Sequence, residues 1–212
     1  MGKEYEVQII DVNIPKMRKI LKKHNGKKVH KNLKMVRAVF DTCNSKIRSF
    51  ARVRYEGKNT TMTVKVYNNK KFPDEYEVSI NEDFESGKKF LEALNLKQTS
   101  YQETYREKWS LPIKGVHEIT FDTWPGLPPF MEIDCDNKKT LEKVIKLFNP
   151  DKNKITYGPV GVKYNSYYGI NILNKKISSL TFKNVQKELK PKKNKDLFKK
   201  VIAQQKKKYV KK

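Results

Sequence analysis

Apolar and charged residues alternate with a period of two along most of the first 135 positions, and this alternation predicts a protein built mainly of strands. In a strand, residues i and i+2 share a face. In Glu4-Tyr5-Glu6-Val7-Gln8, Glu4 and Glu6 therefore point one way, and Tyr5, Val7 and Ile9 the other. The same reading gives strands over 3–11, 33–41, 47–55, 61–67, 75–80, 99–109, 116–122 and a last one around Glu132-Ile133-Asp134. Turns fall at 56–59 and 68–73, and a Pro/Gly loop at 123–129. Three stretches switch to a helical period. One opens at Pro15 with Met17, Ile20 and Leu21 on one side and stops at Asn25-Gly26. The second covers 83–95, with Phe84, Phe90, Leu91 and Leu94 apolar, and the third covers 138–148, with Leu141, Val144, Ile145 and Phe148 apolar. Residues 155–172 are aromatic but weakly patterned.

The charged faces of these strands carry chemistry. Some present acidic pairs: Glu4/Glu6, Glu75/Glu77, Glu132/Asp134, and more loosely Glu118/Asp122. Others present basic pairs, Arg52/Arg54 and Arg106/Lys108, while Thr63 and Lys65 share a face. Two architectures fit. A flat antiparallel sheet would show the pairs to water as salt-bridged decoration. A closed barrel would turn them inward, and an interior lined with ions must bind something, because uncompensated buried charge is costly. Clustered carboxylates suit Mg²⁺ or Mn²⁺, whereas Arg and Lys suit phosphate oxygens. A metal–triphosphate complex needs both signs, and its chemistry would be phosphoryl or nucleotidyl transfer.

Composition narrows the partners. The 212 residues carry a formal charge of +24, which favours polyanions. No stretch approaches the roughly 18 apolar residues of a membrane-spanning helix. Cys43 and Cys135 have neither metal spacing nor a disulfide framework, and His24, His30 and His117 form no cluster in the sequence. These features, with a polar start lacking a signal-peptide core, lead us to expect a cytoplasmic protein in a reducing compartment.

An ordered set of segments now resembles a known family. The set is Glu4-x-Glu6, Phe40-Asp41-Thr42, Arg52-Val53-Arg54, Thr63-Val64-Lys65, Glu75-Tyr76-Glu77-Val78, Ser100-Tyr101-Gln102-Glu103, Arg106, and the run from Asp122 through Trp124-Pro125-Gly126-Leu127-Pro128-Pro129 to Glu132-Ile133-Asp134. Together these resemble the CYTH, or triphosphate tunnel metalloenzyme, superfamily, and the last run resembles its class IV adenylate cyclase-like branch. The resemblance covers residues 1–172. It implies an α+β fold: an eight-stranded antiparallel barrel with flanking helices, holding a triphosphate and Mg²⁺ or Mn²⁺ in its tunnel. It implies that Glu4, Glu6, Glu132 and Asp134 ligate metal, with Glu4 and Glu6 also orienting the attacking water. Arg52, Arg54, Lys65, Arg106 and Lys108 would bind phosphates, with Glu77 and Asp122 as further members. Gln8 stands at a substrate-binding position where the family usually carries Lys or Arg. Asp134 stands for a Glu, one methylene shorter.

Residues 173–212 form a Lys-rich C-terminal extension, with fifteen lysines against Glu188 and Asp196. We expect a solvated tail with a short helix after Pro191, frayed from Lys206 onward, and a capacity for non-specific nucleic-acid contact. Three functions follow. The first is a metal-dependent triphosphatase acting on a nucleoside, inorganic or RNA 5′ triphosphate. The second is a class IV-type adenylate cyclase releasing pyrophosphate. The third is a non-catalytic polyphosphate or nucleic-acid binding module.

Overall fold

The structure is a computed structural model that describes residues 5–43, 46–67, 74–172 and 177–210; the expected loop at 68–73 and Glu4 lie outside them. The element order is β1 (Tyr5–Ile9), α1 (Ile14–Lys23), β2 (Lys27–Asp41), β3 (Arg48–Tyr55), β4 (Thr60–Tyr67), β5 (Asp74–Ile80), α2 (Phe84–Ala93), β6 (Lys97–Ser110), β7 (Val116–Thr123), β8 (Phe130–Cys135), α3 (Lys138–Phe148), β9 (Ile155–Thr156), α4 (Gly161–Tyr168), β10 (Ser179–Leu180), α5 (Val185–Glu188) and α6 (Lys195–Tyr209). The helices start where the chain supplies caps. Asn13, Asp83 and Asn137 each accept a hydrogen bond from the backbone N–H three residues on, which satisfies one of the orphan donors of α1, α2 and α3.

The eight principal strands are antiparallel, in the order β5-β4-β3-β2-β6-β7-β8-β1, with β9 added beyond β1. Hydrogen bonds do not join β5 to β9 among the described residues. The sheet is nonetheless two-faced in the way a tunnel requires. Its outer face is apolar and covered: α1 and α3 bury Met17, Leu21, Leu141, Val144 and Phe148 against Val7, Ile9, Ile119, Phe121, Met131 and Ile133. Similarly, α2 lays Leu91 on Ala38, Phe40, Ala51 and Val53. Phe90 and Leu94, two of the apolar residues of the expected 83–95 helix, are exposed.

The C-terminal extension differs most from expectation. It is folded and packed, with Leu180, Phe182, Val185, Leu189, Phe198, Val201 and Ile202 all buried. Leu180, Val185, Leu189, Phe198 and Ile202 share one apolar cluster with Trp124, Leu127, Phe130, Tyr164 and Tyr168 of the preceding chain, and the Phe182 ring packs on Tyr105 and Tyr209. β10 pairs parallel with Tyr101–Gln102 of β6, on the side of that strand which β7, pairing only from Tyr105 onward, leaves open. This covers an edge that would otherwise offer unpaired backbone groups. α6 continues through Lys206 to Tyr209 rather than fraying, and its last ring stacks on Tyr105 at 4.0 Å.

One carboxylate on the outer face fastens α1 to the sheet. Glu107 accepts from Nε and Nη2 of Arg18, both at 2.8 Å, and from Trp109 Nε1 at 2.7 Å. Burial opposes its charge, but Arg18, Trp109 and Lys28 together hold the carboxyl below its usual range. A depressed folded pKa contributes stability that is present above the unfolded value and lost as pH falls through the folded one. Glu107→Gln is therefore expected to cost about 1–3 kcal/mol at neutral pH, with a smaller loss on acidification below about pH 4.5. Chemical denaturation at several pH values checks this, and an unchanged midpoint at pH 7 would contradict it.

Candidate active site

The inner face gathers charges from the adjacent strands β1, β8, β7 and β6. Register places Glu6 opposite Asp134 and Gln8 opposite Glu132, and β7 sets Glu118 opposite Asp134. Directly paired residues share a face, so these side chains form one acidic patch over β1, β8 and β7. Arg106 reaches into it. Its Nε and Nη2 donate to the two carboxylate oxygens of Asp122 at 2.7 and 2.5 Å, Nη1 to Glu118 at 2.9 Å, and Nη2 also to Glu132 at 3.1 Å. Burial opposes its charge, but Asp122, Glu132 and Glu118 outweigh that effect and hold the guanidinium firmly protonated. Lys108 pairs with Glu118 from one residue pair further along β6.

A second, cationic group lies on β2–β5. Arg52 Nη2 donates to Thr63 at 3.0 Å and to Glu77 at 3.3 Å, with Glu75 at 3.5 Å. Thr63 donates to Glu77 at 2.6 Å, Arg54 pairs with Glu56 at 2.6 Å, and Lys65 pairs with Glu75 at 2.6 Å. Burial and the charge of Arg54 push the Arg52 guanidinium down to about 10, despite Glu75 and Glu77. Glu118 on β7 is held below its usual range by Arg106, Lys108 and also Arg54, against burial. Two strands, β2 and β6, separate Arg54 from β7 in the sheet order. The charge of Arg54 thus still bears on Glu118 with β2 and β6 between them.

Among the residues expected at the site, the structure thus puts Glu6, Gln8, Arg106, Lys108, Asp122, Glu132 and Asp134 into the acidic group, and Arg52, Arg54, Lys65 and Glu77 into the cationic one. Glu4 lies outside the described residues. Four residues at or beside the site were given no role there from the sequence. Arg37 of β2 packs over the Trp124 ring at 4.7 Å and donates to Thr104 at 3.1 Å. It has no carboxylate within ion-pair reach among the described residues, and burial, Arg52, Arg54 and Arg106 all press against its charge. A lone Arg inside the apolar run Met35-Val36-Arg37-Ala38-Val39 was the signal that could have found it. Glu118 is drawn in by Arg106. His117 bonds Asp134 through Nδ1 at 3.2 Å and Asp136 through Nε2. The fourth is Lys163 of α4, whose ammonium donates to Gln8 Oε1. Burial pushes that ammonium down to about 8, against the pull of Glu132, Glu6 and Asp122.

Do these residues suit a divalent cation? Burial and the nearby charge of Glu6 raise the Glu132 carboxyl well above the usual carboxylate range, against Arg106. Among the described residues, Asp134 keeps one buried oxygen, Oδ1, without a hydrogen-bond donor. Crowded carboxylates with an unsatisfied buried oxygen fit a hard, oxygen-seeking cation. The described residues do not by themselves converge on one ligation point. Glu132 is held by Arg106 and by Gln8 Nε2 at 3.3 Å, and Asp134 by His117. The donor set fits the metal, and these bonds would be exchanged for it.

The CYTH domain family matches residues 2–155. No curated protein matches the sequence. Among solved structures, a Vibrio parahaemolyticus protein described as a candidate adenylate cyclase is similar, with a TM-score of 0.62 and 14% identity over 74% of this chain and 95% of that one. The PH1012 protein of Pyrococcus horikoshii gives 0.57 and 16%, over 72% and 94% of the two chains. The PH1819 protein of the same organism gives 0.56 and 23%, over 74% and 94%. At these identities the likeness is one of fold.

Proposed function

Because this chain belongs to the CYTH domain family, we propose that it is a metal-dependent triphosphatase acting on a triphosphate bound on the charged inner face. The family works with divalent metal ions on triphosphate-containing compounds. One observation carries the reading: a cationic group with Arg37, which has no ion-pair partner among the described residues, shares the charged inner face with an acidic group that holds an unsatisfied oxygen. Each half suits one half of a metal–triphosphate complex.

In this reading Arg37, Arg52, Arg54, Lys65, Arg106 and Lys108 hold phosphate oxygens, the arginines through paired N–H donors. Glu75, Glu77 and Asp122 aim these cations, and Thr63 fixes Glu77. Glu6, Glu132 and Asp134, with Glu4, hold Mg²⁺ or Mn²⁺. The metal would offset phosphate charge as it shifts to the leaving group. Glu4 and Glu6 would orient a water whose oxygen forms the new bond to the terminal phosphorus as it gives up a proton to one of these carboxylates. The bridging P–O bond breaks, and orthophosphate and a diphosphate leave.

No step requires a nucleoside, so inorganic triphosphate, nucleoside triphosphates and 5′-triphosphate RNA are all candidate substrates. The exposed lysines of α6, including Lys199, Lys200, Lys207 and Lys208, would favour polyanions, with affinity falling steeply with salt. The reading is tested by metal removal. Orthophosphate release from tripolyphosphate is expected only with Mg²⁺ or Mn²⁺, to stop with EDTA and to return with excess metal. Release at the same rate in EDTA would contradict it.

A further inference from the structure

Lys163 is 2% exposed, an unusual setting for an ammonium group. Its hydrogen-bond partner among the described residues is neutral, the side-chain oxygen of Gln8, and its Nζ lies over the Phe130 ring at 4.4 Å. The Gln8 amide is polarised end to end. Its oxygen accepts from Lys163, while its nitrogen donates to Glu6 and Glu132. Position 8 is also where the tunnel motif usually carries a cation and this chain does not.

α4 is held so that Lys163 stays in place. Tyr164 donates to Pro125 O at 2.6 Å, Tyr168 to Gly126 O at 2.7 Å, and Tyr167 to Asp11 at 2.6 Å. The loop that receives two of these bonds is fixed from its other side by Gln205 of α6. A buried charge held this rigidly is preorganised for an anionic ligand.

We propose that Lys163 supplies the tunnel cation missing at position 8, so that Gln8 and Lys163 act together as one phosphate-binding site. The charge has moved from β1 to α4, and Gln8 hands it back across the strand. The C-terminal extension braces the loop on which α4 rests and thereby sets where that charge stands. This inference rests on the tunnel binding a triphosphate. The rival role for Lys163 is a counter-ion to Glu6 and Glu132 that never meets ligand.

The test is calorimetric binding of tripolyphosphate in EDTA to the full chain, beside thermal melts. Lys163→Met is expected to weaken binding by about tenfold or more, as for loss of one charge-assisted phosphate contact. Lys163→Arg should bind within about threefold of the parent. Gln8→Lys/Lys163→Met keeps the net charge and should recover most of the affinity, even if the single Met variant fails to fold. Wild-type affinity in folded Lys163→Met would overturn the inference, and so would a folded double variant that binds no better than the single. Absence of binding by the wild-type protein both in EDTA and, with a non-hydrolysable triphosphate analogue, in Mg²⁺ would instead refute the triphosphate reading itself, and the inference with it.

Discussion

Ending the chain at Ile172 is expected to abolish the cooperative thermal transition, or to lower its midpoint by roughly 10 °C or more. The extension buries Leu180, Phe182, Val185, Leu189, Phe198, Val201 and Ile202. At about 1.5–3 kcal/mol for each such side chain, their gross contribution rivals the net stability of a whole domain, about 5–15 kcal/mol. The same cut bares Trp124, Leu127, Phe130, Tyr164 and Tyr168 on the part that remains. It also strips polar partners from the 124–127 loop. Gln205, itself buried, accepts from Gly126 N at 2.7 Å and donates to Trp124 O and Leu127 O at 3.0 and 2.8 Å. Gly126 sits at φ +78°, and a Cβ there would meet Phe198 at 2.9 Å, so loop and helix are shaped to each other. Melting followed by circular dichroism checks the prediction. An unchanged midpoint would show that the extension is an appendage.

Glu132→Gln is expected to reduce metal-dependent turnover by about 100-fold or more while leaving the fold intact. The substitution is isosteric. The amide oxygen can still accept from Arg106, so the bond now made at 3.1 Å has a successor. What is lost is negative charge at the centre of the acidic group. Glu132 is the carboxyl pushed furthest toward protonation, first by burial and then by Glu6, and a cation bound beside it would reverse that bias. Steady-state rates at saturating Mg²⁺ and Mn²⁺, beside a melt, separate lost chemistry from lost structure. Full activity in a folded Glu132→Gln protein would remove Glu132 from the metal site.

The sheet was legible because its code is local. Each strand writes its two faces into alternate residues, and the i,i+2 pairs Arg52/Arg54, Glu75/Glu77, Arg106/Lys108 and Glu132/Asp134 all fall on the inner face as expected. The 138–148 helix matches residue for residue, since Asn137 and a left-handed Asn149 mark both ends. Legibility failed where the partner is distant or the signal diluted. Nothing local links Lys163 to Gln8, 155 residues away, and Lys163 lies in an aromatic stretch with little periodicity. The single Arg37 has no i,i+2 partner to raise it above the background.

α6 was expected as a short helix after Pro191, but its burial and its full length were missed, for a different reason. Phe198, Val201, Ile202 and Gln205 fall at i, i+3, i+4 and i+7, a helical stripe. The surrounding lysines swamped it, and its last member is polar because it must satisfy three backbone groups of the 124–127 loop. Tyr164 and Tyr168, in the weakly patterned aromatic stretch, are buried and also bond that same loop through their hydroxyls.

The measurement that tests the central claim most directly is separation of the products formed from ATP, inorganic triphosphate and 5′-triphosphate RNA with Mg²⁺ or Mn²⁺. A triphosphatase gives orthophosphate together with the matching diphosphate, and Glu132→Gln gives neither. Cyclic AMP with pyrophosphate from ATP, or tight binding with no metal-dependent product from any of the three, would contradict it.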